Sequence, residues 1–161
     1  MAPDGSWFRV SSVFAGDTTV DSADPDAVVP VPDDWAVLLV RKGGFAVARM
    51  HGAEMVSSKV GRRHVQGRTK AGGQSQQRFA RRRGNQARQA YEACSDHAAN
   101  HFGALDGPLL TGGDDVAVRE VLADARLRGL GSFHHFGDVV EPRRDTLEAF
   151  VGRCLAWQVT V

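Results

Sequence analysis

Between Glu54 and Glu92 the chain has no acidic residue: 37 consecutive positions lack one, in a sequence with 19 Asp+Glu. Ten of the 20 Lys+Arg fall within positions 59–88, so the remainder carries 10 basic against 19 acidic residues, a balance of −9 behind a net charge of +1. Evenly spread solubilising charge does not segregate in this way, and a located anion-binding face is implied. Cysteine is scarce as well. Cys94 and Cys154 are the only two, which excludes a disulfide framework. Long apolar runs are missing, so no segment reads as a membrane span, and the first residues lack the basic-then-apolar pattern of an export signal. A cytoplasmic, reduced protein without a membrane partner is the expectation.

What is present fits one domain. A length of 161 residues is enough for a sizeable core. Residues 1–34 are acidic and dotted with Pro and Asp. They read as linker with a strand between Trp7 and Phe14. From Trp35 the pattern sharpens. Trp35–Arg41 is a continuous apolar run, Gly43-Gly44 signals a hairpin, and Phe45–His51 is a second strand. Glu54–Arg68 reads as a third, polar strand. Apolar residues at Phe79, Ala87, Ala90, Tyr91, Cys94, Ala98 and Phe102 then predict a helix from about Ser75 to Phe102.

On that helix Arg78, Arg81, Asn85, Arg88 and Gln89 fall opposite the apolar stripe, with Arg82 beside them. Gly84 weakens it by about 1 kcal/mol relative to Ala. A strand Leu109–Thr111 follows, then a helix Asp114–Leu127 capped by Asp114, a strand Ser132–Val140, a helix from near Pro142, and a last strand Trp157–Val161. The expected fold is α/β, a mixed sheet led by a β-hairpin with three helices. Residues 35–161 form the domain, and 1–34 precede it.

The centre of the basic window reads Ala71-Gly72-Gly73-Gln74-Ser75-Gln76-Gln77. Paired glycines let a loop approach a ligand closely. A helix start offers unpaired N–H groups to an anion or a developing oxyanion. Glutamine is neutral at biological pH, so it is no general base, but it orients water and donates hydrogen bonds. Such a loop catalyses by positioning a nucleophile, which suffices for an already activated bond such as an ester. Taken singly, each feature is more often structural; together they favour an RNA-facing surface.

The run from Gly67 to Ala87, Gly67-Arg68-Thr69-Lys70-Ala71-Gly72-Gly73-Gln74-Ser75-Gln76-Gln77-Arg78-Phe79-Ala80-Arg81-Arg82-Arg83-Gly84-Asn85-Gln86-Ala87, resembles the signature of the actinobacterial release-factor-like peptidyl-tRNA hydrolases. These are relatives of the middle domain of the eukaryotic class-1 release factor and of the peptidyl-tRNA hydrolase of ribosome quality control. The resemblance implies an RNase H-like fold, like that of the release-factor middle domain. It also implies ribosome rescue as the setting, with peptidyl-tRNA and the large ribosomal subunit as partners and no DNA. A glutamine would act at the ester between tRNA and nascent peptide. In this branch the pattern is Gly-Gly, a variable residue, then Ser-Gln-Gln-Arg-Phe. That places Gln76 first and Gln74 second as the catalytic residue, with Gly72 and Gly73 admitting the loop to its pocket. Arg68, Lys70, Arg78, Arg81, Arg82 and Arg88 would bind RNA. No metal or organic cofactor is expected.

Two other functions use the same residues: a tRNA 3′-end (CCA) endonuclease, or a non-catalytic rRNA- or tRNA-binding factor. Elsewhere, Cys94, His97 and His101 share one helix side and superficially resemble a ligand set, although core packing is the commoner use of such residues. His134-His135 in a strand predicts one side chain in and one out.

Overall fold

The computed structural model describes residues 9–14, 31–62, 73–131, 133–156 and 158–160, with side chains left aside at 9, 10, 73–77, 79, 80, 82, 83 and 158–160. Its core is a five-stranded mixed sheet. Strand β1 (Arg9–Ser11) lies outside it; β2 (Asp34–Arg41), β3 (Gly44–His51) and β4 (Glu54–Arg62) form an antiparallel meander. Helix α1 (Gly73–Phe102) crosses to β5 (Leu109–Gly113). Then come α2 (Asp115–Leu122), a 3₁₀ turn (Ala125–Leu127), β6 (Phe133–His135), α3 (Arg144–Cys154) and β7 (Gln158–Thr160). The order in the sheet is β4-β3-β2-β5-β6, with β5 parallel to both β2 and β6. This is the α/β fold with a hairpin-led mixed sheet and three helices that the sequence predicts.

The apolar run of β2 is continuous because the strand is central and covered on both sides. Ala36, Leu38 and Val40 meet Cys94, Ala98 and Phe102 of α1 and Val118 and Val121 of α2. Trp35, Val37 and Leu39 point the other way, to Leu147, Phe150 and Cys154 of α3. The two cysteines therefore sit in cores on opposite faces of the sheet, both free. Gly43 takes a φ of 109° in the first hairpin turn, and Gly52 a φ of 53° in the second. Asp114 caps α2, its carboxylate accepting from the N–H groups of Val116 and Ala117.

Several boundaries differ from the sequence reading. The expected helix Asp114–Leu127 breaks after Leu122, because Asp124 accepts from the Arg126 N–H and starts a separate 3₁₀ turn. The expected strand Ser132–Val140 is three residues long. Beyond His135 the Phe136 N–H still reaches Thr111 O at 2.7 Å, but Gly137 takes a φ of 89° and turns the chain away. Of the expected strand Trp7–Phe14, Arg9–Ser11 is strand and pairs antiparallel with β7 in a second sheet, while Trp7 and Phe8 lie outside the described residues. Phe14 packs edge-on to Trp35, ring centroids 4.9 Å apart. Residues Arg63–Arg68 of the expected third strand lie outside the described residues. Among the described residues, no helix is long and apolar enough to cross a membrane.

Candidate functional site

Helix α1 runs for 30 residues, yet its packing is one-sided along its length as well as around it. Among its described side chains Ala90 is the first that is buried; Cys94, Ala98 and Phe102 follow at four-residue intervals. Before Ala90, Arg78, Arg81, Gly84, Asn85, Arg88 and Gln89 are exposed, and Gln86 and Ala87 are half-buried. A Cβ built on Gly84 meets nothing within 4 Å. At the level of Ala90 and Tyr91 the helix faces Val40, Arg41 and Arg62, the last residues of β2 and β4. The part from Gly73 to Gln89, about 25 Å at helical rise, thus runs on beyond the last described residues of β2 and β4.

The opposite end is tied down. Arg49 of β3 makes paired hydrogen bonds to Asp34, Nε to Oδ1 and Nη2 to Oδ2, both 2.8 Å. Its remaining donors reach the carbonyls of Gly103 at 2.7 Å, Ala104 at 3.0 Å and His101 at 3.3 Å, where α1 ends. Ala104 takes a φ of 56°, the left-handed position that follows many helices. Burial alone would raise the Asp34 carboxyl. The Arg49 hydrogen bond, the Asp106 N–H and the charges of Arg49 and His51 outweigh it and hold the group below its ordinary value. The sequence alone did not single out this clamp.

The predicted site residues distribute as follows. Gly73 opens α1, two residues earlier than the spacing suggested, so Gln74 and Gln76 stand on its first turn, not in a preceding loop. Their side chains, and that of Arg82 further along α1, lie outside what is described. Arg68, Lys70 and Gly72 also lie outside the described residues. Arg78, Arg81 and Arg88 are exposed on the side of α1 away from the core. No acidic residue occupies the first turn, so nothing there offsets the positive end of the helix dipole.

The Cys94–His97–His101 grouping has other employment. The Cys94 thiol is in the core, where burial pushes its pKa up to about 12. His97 lies against the Phe45 ring, 5.5 Å between centroids. His101 Nδ1 is 2.8 Å from Ser57 Oγ, and burial, His97 and Lys59 together lower its pKa. Cys154 is likewise raised to about 12 by burial, Arg153 opposing. Neither thiol is a nucleophile at neutral pH. His134 and His135 are both exposed, against the in-and-out expectation, because β6 is a three-residue edge strand. Thr111 Oγ1 lies 3.2 Å from His135 Nδ1.

A family model described as Actinobacteria/chloroflexi VLRF1 release factor matches residues 33–160. Among curated proteins, none matches the chain.

Proposed function

Because the chain belongs to the Actinobacteria/chloroflexi VLRF1 release factor family, we propose that it is a peptidyl-tRNA hydrolase. It cleaves the ester between nascent peptide and tRNA on stalled or split ribosomes, and residues 35–161 are the catalytic unit. Gln76, or Gln74 in its place, orients the attacking water or the terminal ribose hydroxyl beside the ester carbonyl. Water adds to the carbonyl carbon, the bond to the ribose oxygen breaks, that oxygen takes one of the water's protons, and the peptide leaves as a carboxylate with the other proton lost to solvent. Backbone N–H groups at the start of α1 favour the oxyanion formed on the way. Gly72 and Gly73 admit the chain to a narrow pocket. Arg68, Lys70, Arg78, Arg81, Arg82 and Arg88 hold phosphates, so affinity falls steeply with salt and reads shape more than sequence.

One observation supports this reading most. The motif stands at the start of a helix whose leading half lies beyond the sheet with arginines exposed along it. An ester held deep in a ribonucleoprotein is reached by a slim projection, and a lone helix is only about 10–12 Å across.

The test uses purified peptidyl-tRNA, free and on large ribosomal subunits, with wild type, Gln74→Ala and Gln76→Ala. Peptide release and the sequence of the tRNA 3′ ends are read together. Release abolished by Gln76→Ala with the CCA end intact is the expected result. A shortened 3′ end would make the protein a tRNA nuclease. Equal binding and no release by any of the three would leave a docking factor.

A further inference from the structure

Strand β4 leads the chain to the motif: it ends at Arg62, and α1 opens at Gly73. Among the described residues it is an edge strand, paired with β3 alone, and none of its nine residues is buried. An edge strand without a buried side chain opens more readily than the strands inside a sheet. Its end therefore depends on other ties. On the α1 side the last side-chain tie among the described residues is early: Ser57 Oγ lies 2.8 Å from His101 Nδ1. Beyond it Lys59 is exposed and Gly61 has no side chain.

The α3 side holds the end of the strand. Ser58, Val60 and Arg62 alternate along β4 and so share the face of the sheet that α3 covers. Ser58 Oγ accepts from Arg144 Nη1 at 2.8 Å. Val60 packs, partly buried, against the cluster of Leu147 and Phe150. Arg62 Nη2 lies 3.3 Å from Glu141 Oε1, and the other oxygen of Glu141 accepts from Arg143. The partners are themselves fixed. Arg144 opens α3 and donates to Glu148 one turn on. Glu141 belongs to the turn between β6 and α3. That turn is pinned to the sheet by Arg41, which donates to Val139 O at 2.9 Å, and by the Gly113 N–H, which donates to Gly137 O at 3.1 Å.

Chain length makes the end of β4 matter to the start of α1. Arg62 stands level with Ala90 and Tyr91, and from that level back to Gly73 the helix is about 25 Å long. The ten residues 63–72 can span at most about 40 Å. More than half of their reach is used, so the point where they leave the sheet limits where Gly73 and the glutamines after it can stand. The other end of α1 is anchored in the core. The 63–72 connection is thus a second support for its start, rooted at Arg62.

We propose that Glu141 and Arg144 are positioning residues for the motif: they clasp the end of β4 to the α3 layer and so fix the root from which the connection to α1 departs. The proposal rests on the hydrolase reading for the reaction it serves. Neither residue touches the substrate, and both act through β4. Arg62 and Glu141 are about half exposed (56% and 48%), so the loss of their pairing costs the fold little. The effect falls on the rate of the reaction, with stability and RNA affinity spared.

The experiment compares the full chain as wild type, Ser58→Ala, which leaves the charge unchanged, Glu141→Gln, which keeps the shape, and the double variant. Single-turnover peptide release from peptidyl-tRNA on large ribosomal subunits is followed as protein concentration rises, and amide hydrogen exchange is measured on the same preparations. In the double variant the release rate at saturation is expected to fall about tenfold, with the half-saturating concentration and the urea midpoint unchanged. Amides at the end of β4 should exchange faster, and those of β2 as in wild type. Asp114→Ala, which weakens the fold at α2, is the stability control and should release peptide at the wild-type rate. A wild-type rate in the double variant overturns the proposal, as does a rate that falls equally in Asp114→Ala. A raised half-saturating concentration with an unchanged rate at saturation makes these binding residues and overturns it too. Unchanged exchange at β4 overturns it whatever the release assay gives. Faster exchange in the variants with no release by wild type removes the hydrolase and leaves the clasp.

Discussion

Replacing Arg49 by Met keeps the aliphatic stem and deletes every donor of the clamp that holds the end of α1. Two bonds to Asp34 go, together with those to the carbonyls of His101, Gly103 and Ala104. Breaking a fully buried ion pair by removing one partner costs about 3–5 kcal/mol. Here the side chains are 23% and 27% exposed, so water recovers part of the loss, and Asp34 keeps the Asp106 N–H at 2.9 Å. The expected cost is about 2–4 kcal/mol, or a fall in Tm of roughly 5–15 °C for a chain of this size. Urea unfolding of both proteins at several pH values measures it. Because the folded-state pKa of Asp34 lies below the ordinary 3.8, its contribution is fully present above that value and is lost as pH falls through the folded-state pKa. The gap between wild type and Arg49→Met is therefore wide at neutral pH and narrows below about pH 4, where only the carbonyl bonds of Arg49 remain to separate the two. A gap under about 0.5 kcal/mol at pH 7, the size of an ordinary surface substitution, would refute the reasoning. So would a gap that does not change with pH.

Further outcomes are expected elsewhere. Gly84→Ala, at an open site in a helix, should raise stability by about 0.5–1 kcal/mol, read as higher helical circular dichroism and a higher urea midpoint. Asp114→Ala should cost about 1 kcal/mol, since its carboxylate serves two N–H groups of α2; urea unfolding reads this directly. Cys94 and Cys154, both raised to about 12, should resist iodoacetamide at pH 8 in the native protein and react fully in denaturant. Fast native labelling would contradict their burial.

Much of the fold was legible because its signals are local. The run Trp35–Arg41, the glycines that follow it and the spacing of Ala90, Cys94, Ala98 and Phe102 each report on a single element. The pairing of β1 with β7 joins the two ends of the chain, and no local pattern encodes it. The shortening of β6 depends on the Thr111–Phe136 hydrogen bond and the turn at Gly137, both tertiary. Asp124 carried a readable signal, since Asp before Ala125 is a second helix-start residue inside an apparently continuous helix. In the candidate site the basic window and motif were plain in the sequence. The cavity between α1 and the ends of β2 and β4 was not, because Phe45, Gly61 and His97, which line it, meet only on folding, although the spacing of Ala90, Ala93 and His97 marks the helix side that faces it. The Arg49 clamp left no trace in the motif segment at all.

The reach of α1 beyond the sheet has a mechanical consequence. A long helix anchored in the core over its last dozen residues converts small rotations at that foot into large translations at its other end. On an arm of about 25 Å, a tilt of about 10° carries the tip roughly 4 Å. A misplacement of about 1 Å can already cost a hundredfold in turnover. Under the proposed function, alignment of Gln76 with an ester would be governed by stiffness at the foot, around Arg49, Asp34 and Phe102. Substitutions there should slow the reaction out of proportion to their effect on RNA affinity.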